Sequence, residues 1–322
     1  MKTLPKRPAD AFSICGALKA SPGGSVAAQI ISGTEISGQM RRELPPRVAA
    51  VQARLGRPPG LAAVLVGKDP ASEVYVRNKG KACEENGLFH ETLTLPESTS
   101  QSALLAKVAE LNGDPRFHGI LVQSPLPRQI DARAVYEAIS PTKDVDCFHP
   151  YNVGKLALGE ETFAPCTPKG VVEMLVRSGH SPEGKHVVVV GRSNIVGKPL
   201  VNLLVQKQKG ANATVTCCHT GTPDIARHTR AADIVVVAAG RINALTADMV
   251  REGVVVIDVG INRIEDPKAP KGTRLVGDVD FAGVSAKASA ISPVPGGVGP
   301  MTITMLLFNT VRAAELESGL GR

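Results

Sequence analysis

Residues 186–199 read HVVVVGRSNIVGKP: a five-residue strand run, His186–Val190, then a turn opened by Gly191 and closed by Gly197, then a helix expected to reach about Gln208. A glycine turn between a strand and a helix can present backbone N–H groups to a pyrophosphate. The spelling alone is weak. Ser193 stands where a G-x-G-x-x-G loop has its second glycine, and the next glycine comes one residue late. An ordinary strand-to-helix turn needs a glycine too. The following strand, Ala213–Cys217, runs into Cys218-His219-Thr220 and offers no acid to an adenosine ribose, while Arg192 offers a cation to a 2′-phosphate. That combination favours NADP over NAD.

Two more strands, Asp233–Ala238 and Val254–Val259, extend the series, and the segment reads as a Rossmann-like domain. Upstream lies a second α/β series. Residues 61–67 (LAAVLVG) form a buried-strand run, and Asp69-Pro70 supplies an N-cap and a first-turn proline for a helix to about Asn86. A strand at Glu91–Leu95, a helix at Ser102–Leu111 and a strand at Gly119–Val122 continue the alternation, which implies a parallel sheet with crossover helices. Before them, Ile36–Leu55 has helical character, with Pro45-Pro46 expected to break or kink it. A Pro-rich stretch at Pro165-Cys166-Thr167-Pro168 starts a helix to about Ser178, and Pro300 opens a terminal amphipathic helix to about Glu317 that can pack back on the first domain.

Composition agrees with two α/β domains, since 322 residues exceed what one core usually supports. With 43% hydrophobic and 21% charged residues the usage is globular. Aromatics at 3%, without Trp, give a base-stacking nucleic-acid surface little material. The net charge of +7 suits anionic small molecules or simply a soluble surface. No run approaches the roughly 20 apolar residues of a membrane span. The six cysteines show no C-x-x-C pairing, so the expectation is reduced thiols in a cytoplasm, and no metal site. Residues 1–26 give only a weak signal-peptide pattern, because Asp10 follows the basic residues and Ser13 and Gly16 interrupt the apolar patch.

Several polar residues stand just beyond strand ends, where open α/β sheets bind ligands. Tyr75 and Lys79 are four apart on one helix face and can serve as an aromatic shelf and an acid/base. Taken alone, a lysine on a helix that also carries Arg77 and Lys81 reads as solvated surface. Gln123 follows the strand Gly119–Val122 directly and is better placed for a cleft than for a core. In Lys143-Asp144-Val145-Asp146 either acid fits a helix cap or a surface loop as well as a site.

In this order the segments resemble the tetrahydrofolate dehydrogenase/cyclohydrolase family over about residues 27–316. The resemblance is carried by YVRNK, QSPLP, KDVDC, PCTPKG, GRSNIVGKP, CHT, GDV and PVPGGVGPMT, the last unchanged from the family's spelling. It implies oxidation of 5,10-methylenetetrahydrofolate with NADP and hydrolysis of the product to 10-formyltetrahydrofolate, by a homodimer acting on folate with or without a polyglutamyl tail. It further implies that Lys79 is catalytic, with Tyr75 on the pterin and Gln123 beside the lysine. Asp146 would hold the pterin amino edge, and Pro293, Gly296 and Gly297 would line the folate cleft. Gly191, Arg192, Ser193, Gly197, His219, Thr220 and Ile261 would surround the cofactor. The implied division is a leader, 1–26, without family counterpart; a folate domain, 27–165; an NADP domain, 166–298; and a returning helix, 299–322. Ser124, Cys147 and Thr220 depart from the family's usual Leu, Gly and Ser, and the first two bear on the folate pocket. The rivals are a dehydrogenase without the hydrolase step, an NAD-using relative and a silent dinucleotide-binding regulator. The Tyr75, Lys79 and Gln123 set and Arg192 speak against them.

Overall fold

All seven residues of the strand Gly60–Val66 are buried, as a strand must be when both faces of a parallel sheet are covered. The computed structural model describes residues 27–160, 163–269 and 272–321. The leader, 1–26, lies outside them. In chain order the strands are β1 (Gln29–Ile30), β2 (Gly60–Val66), β3 (Phe89–Leu95), β4 (Gly119–Val122), β5 (His186–Val190), β6 (Thr214–Cys218), β7 (Ile234–Val237), β8 (Val255–Asp258), β9 (Asn262–Glu265), β10 (Thr273–Val276) and β11 (Ala290–Ile291). Two parallel sheets result, with orders β3-β2-β4 and β1-β11-β8-β7-β5-β6, and β9 and β10 form an antiparallel hairpin.

The helices that matter for the site are α1 (Gly33–Arg41), α2 (Leu44–Leu55), α3 (Pro70–Glu85), α4 (Gln101–Gly113), α5 (Ala132–Ala138), α6 (Pro150–Leu158), α7 (Cys166–Arg177), α8 (Gly197–Leu204), α9 (Ile225–Thr229), α10 (Phe281–Ser285) and α11 (Val298–Ser318). The expected break at Pro45-Pro46 is the start of α2, where prolines cost nothing because first-turn N–H groups have no helical acceptor. Asp69 caps α3 by accepting from the Ser72 N–H at 2.8 Å. The terminal helix starts at Val298, two residues before Pro300, which occupies its first turn.

One apolar core runs through both sheets. It joins β2 to α1, α2, α3 and α11, and continues through α7 and α8 to Val187, Val189 and Val236 of the second sheet. Separate clusters cover the far face of each sheet, α4 and α5 on the first and Val250, Val284 and Ala288 on the second. The terminal helix does pack on the first domain. Arg47 of α2 makes paired hydrogen bonds to Glu315 at 2.7 and 2.8 Å, and Arg41 donates to Thr304 at 2.9 Å. The short strand β1 joins the second sheet beside β11, although residues 29 and 30 stand at the head of the stretch assigned to the first. Two-residue strands carry no period in the sequence, so only tertiary pairing reveals them. No helix among the described residues is long and apolar enough to cross a membrane.

Candidate active site

In each sheet the strand order reverses beside the first strand of its series, and the crevice beyond the strand ends at such a reversal is where open α/β sheets bind ligands. In the first sheet that strand is β2, with β3 on one side and β4 on the other. The loop after β2 leads to α3 with Tyr75 and Lys79, and the residue after β4 is Gln123, whose N–H donates to Val64 at 2.9 Å. The three side chains the sequence singled out therefore meet. Lys79 is 6% exposed, which removes the solvated-surface alternative. Its Nζ donates to Gln123 Oε1 at 3.0 Å and lies 5.8 Å from the centre of the Tyr75 ring. Gln123 is held in the matching orientation because its Nε2 donates to the Ser124 carbonyl at 2.6 Å.

The two acids of Lys143–Asp146 separate cleanly. Asp144 is buried and clamps its own loop, accepting from Phe148 N–H, His149 N–H and Asn152 Nδ2 at 2.8–3.0 Å. Asp146 faces the cleft with Lys79 and Phe148. Its loop is fixed from α11, where Asn309 Nδ2 donates to the carbonyls of Val145 and Ala164 at 2.7 and 2.9 Å. Burial raises the Asp146 pKa, which nearby Lys79 opposes and Asp144 reinforces. Burial lowers the Lys79 pKa, and the Asp146 charge works against that. A buried lysine with a depressed pKa beside an acid is a functional arrangement more often than a structural one.

This cleft has a volume of about 340 Å³ and continues past Tyr75 into a neighbouring one of about 630 Å³, lined in part by Pro293, Gly296 and Gly297. Ile261 lines both, together with Val259. Ile195 and Val196, from the turn after β5, also reach the Lys79 cleft. The sequence reasoning missed these two and Val259, because apolar loop residues carry no chemical signature. It also passed over Cys166, which is buried beside Asp146 in the same cleft and whose thiol donates to the Val145 carbonyl at 3.4 Å. The PCTP segment was the available signal.

In the second sheet the reversal falls beside β5, and the turn Gly191–Gly197 follows it. Both glycines are required by space. A Cβ on Gly191 would lie 2.2 Å from the Ala238 carbonyl oxygen, and one on Gly197 would lie 2.1 Å from the Gly191 carbonyl oxygen. The backbone is thus as closely packed as a phosphate-binding turn demands, despite the missing central glycine. Ser193 takes that place and closes the turn, its Oγ accepting from Val196 and Gly197 N–H at 3.2 and 3.4 Å. Arg192 is exposed, and among the described residues its guanidinium has no hydrogen bond or ion pair. His219 and Thr220 follow the adjacent strand β6; His219 Nδ1 accepts from the Gly221 N–H at 3.1 Å. A narrow turn, an open cation and no acid at the end of β6 fit a phosphorylated dinucleotide.

Comparison with known proteins agrees with this geometry. A family model described as tetrahydrofolate dehydrogenase/cyclohydrolase, catalytic domain, matches residues 31–146, and the NAD(P)-binding domain model of the same family matches 165–318. A protein of Chlorobium luteolum named bifunctional protein FolD is 56% identical over 293 residues, covering 90% of this chain and 99% of that protein. One of the same name from Syntrophus aciditrophicus is 56% identical over 298 residues, covering 92% and 100%. Among solved structures, the bifunctional FolD methylenetetrahydrofolate dehydrogenase/cyclohydrolase of Campylobacter jejuni superposes with a TM-score of 0.84 at 48% identity, covering 90% of this chain and 100% of that one. The Trypanosoma brucei methylenetetrahydrofolate dehydrogenase-cyclohydrolase, complexed with NADP cofactor and inhibitor, gives 0.85 at 42% identity, covering 91% and 99%.

Proposed function

The chain belongs to the tetrahydrofolate dehydrogenase/cyclohydrolase family, and from that premise we propose how its cleft carries out the two reactions. The enzyme oxidises 5,10-methylenetetrahydrofolate to 5,10-methenyltetrahydrofolate with NADP and hydrolyses the product to 10-formyltetrahydrofolate. The residue assignment rests on one observation above all, the buried Lys79 amine donating to Gln123 at 3.0 Å between Tyr75 and Asp146.

NADP, held by the turn Gly191–Gly197 with Arg192, Ser193, His219 and Thr220, supplies the hydride acceptor. Hydride loss from the methylene bridge is driven by the two adjacent nitrogen lone pairs, so the protein's task is alignment. Tyr75 offers its face to the pterin, Asp146 accepts from the pterin amino edge, and Ile261 separates the folate wall from the cofactor wall. Hydrolysis differs, because the water that attacks the methenyl carbon must lose a proton. Lys79 Nζ takes it and must be neutral to do so. Burial already favours the neutral amine, and the cationic substrate beside it favours it further. Gln123 keeps the amine aimed at the attacked carbon. The division into a folate domain, 27–165, an NADP domain, 166–298, and a terminal helix, 299–322, is part of this reading. The larger cleft runs from Tyr75 to Arg41 and Lys81, two cations suited to the carboxylates of a polyglutamyl tail. A cytoplasmic homodimer completes the reading; sedimentation and cell fractionation test it.

The direct test is a two-cofactor assay with methylenetetrahydrofolate, following methenyl formation and its hydrolysis together. Only NAD-supported turnover, or no hydrolysis, would contradict the proposal. Asp146→Ala should weaken folate binding about tenfold in both reactions, the loss of one charge-assisted hydrogen bond. Removing that anion also lowers the Lys79 pKa further, so the acid limb of the hydrolysis profile should move to lower pH. Unaltered folate affinity would reduce Asp146 to a loop residue. Deleting residues 2–26 should change both activities by less than about twofold, since every motif lies downstream. A folded but inactive truncation would refute that.

A further inference from the structure

Beneath the wall that carries Ile261 lie two buried carboxylates that the reactions above do not use. Asp258 ends β8 and is 3% exposed; Asp278, from the segment Gly277–Val279, is fully buried. Neither forms an ion pair among the described residues. They are satisfied instead by N–H donors. Asp258 Oδ1 accepts from Gly260 and Asp278 N–H at 2.9 Å, and its Oδ2 accepts from Val279 N–H at 3.0 Å. Asp278 Oδ2 accepts from Ala239 and Gly240 N–H, both at 2.7 Å, and its Oδ1 accepts from Asn262 Nδ2 at 2.9 Å. The interlock excludes side chains. A Cβ on Gly277 would stand 1.8 Å from Asp258 Oδ2, and one on Gly260 would stand 2.2 Å from Asp278 Oδ1.

The segments joined are the ones that face the ligands. Ala239–Gly240 follow β7, next to the Ala238 carbonyl that crowds Gly191. Gly260 precedes Ile261, which lines both clefts. The Asp258 N–H donates to Ser292 Oγ at 2.8 Å, directly before the folate-lining Pro293. Two buried carboxylates with N–H donors but no cation are a poor way to stabilise a fold, since apolar packing of the same volume serves at least as well. We propose that Asp258 and Asp278 are a pair of positioning residues that hold the loops after β7 and β8 in the register that aligns cofactor with folate. Hydride transfer needs that register. Hydrolysis at Lys79, which stands on α3, does not depend on the Ala239–Gly240 loop that Asp278 holds.

The inference rests on the assignment of Gly191–Gly197 as the NADP turn. In Asp278→Asn one oxygen becomes a donor. If the remaining oxygen serves the amides of Ala239 and Gly240, the new amine meets Asn262 Nδ2. NADP affinity measured by calorimetry should fall about tenfold, as expected for a clash that costs one strong buried hydrogen bond, with dehydrogenase kcat/KM falling at least as much. Hydrolysis of preformed methenyltetrahydrofolate without NADP should stay within about twofold, which a merely structural defect would not allow. Should Asp278→Asn not fold, Asn262→Ala removes one donor and keeps the carboxylate, and a fall in NADP affinity with unchanged hydrolysis is again expected. Equal losses in both activities, or unchanged NADP affinity in folded variants, would overturn the pairing. Failure of the unaltered chain to bind NADP would instead overturn the turn assignment and the inference with it.

Discussion

Replacing Lys79 with Met is expected to lower hydrolysis of methenyltetrahydrofolate by about 10²–10⁴-fold, the usual contribution of a general acid/base, and to leave hydride transfer far less affected. Met keeps most of the apolar length that is buried beside Tyr75 and removes the amine. Folding should not suffer, because an amine in a site this enclosed loses hydration when it is buried. Gln123 Oε1 loses its donor, yet its Nε2 still holds the Ser124 carbonyl and keeps the loop in place. The variant should therefore accumulate the methenyl intermediate, visible by absorbance alongside NADPH. In the unaltered enzyme hydrolysis should rise with pH as Lys79 loses its proton, and should level off below the range of an ordinary lysine, because burial lowers the folded-state pKa. In the variant that rise should vanish once non-enzymatic hydrolysis is subtracted. Unchanged hydrolysis in a folded Lys79→Met protein would remove the lysine from the mechanism.

The site was legible where chemistry and strand position coincide. Lys79 and Gln123 could be placed because each follows a strand of one parallel sheet, and ligand crevices form at those ends. What the sequence could not decide was burial: the solvated-surface alternative for Lys79 fails because the side chain is buried among Gln123, Asp146 and Cys166, which come from three other segments of the chain. The same holds for the acids. Asp144 and Asp146 are two residues apart, and their roles differ because Asn152 and two backbone N–H groups take the first, while the second is turned into the cleft.

The larger omissions have one cause. β1 and β11 have two residues each, too short for any period to register, and exist because they pair with each other and with β8. Asp258 and Asp278 are twenty residues apart, one inside the expected strand Val254–Val259 and the other in the GDV motif, and nothing in the sequence pairs them. Their N–H partners are backbone groups, which leave no trace in residue identity. The glycines at 260 and 277 were the readable sign, and their reason appears only when the opposing carboxylates are in view. Ser124 is similar. It replaces the family's leucine, and its hydroxyl lies 2.7 Å from Tyr136 Oη, whose ring packs edge-on against the cleft residue Phe148. A polar contact in the wall of the pocket thus stands where the family has an apolar side chain.

Arg192→Ala should discriminate between cofactors, raising KM for NADP about 10- to 150-fold while changing KM for NAD little. The estimate is that of one charged contact to the 2′-phosphate, roughly 1.5–3 kcal/mol. The structure makes the comparison clean. Arg192 is exposed at the mouth of the turn and has no hydrogen bond or ion pair among the described residues, so its removal leaves no buried group unsatisfied and no fold contact broken. The turn itself is set by Gly191, Gly197 and the Ser193 hydroxyl, which the substitution does not touch. One neighbour does register the charge. Cys217, exposed on the edge strand β6, has its thiol pKa raised by burial and lowered by Arg192. In the variant that thiol should become harder to ionise, and slower reaction with a small alkylating agent at fixed pH would report that the guanidinium points toward β6, where the adenosine end must lie. NAD lacks the 2′-phosphate, so its binding does not draw on the Arg192 contact. Equal losses with both cofactors would mean that Arg192 shapes the turn rather than recognising the phosphate, and the preference for NADP would then have to come from His219 and Thr220.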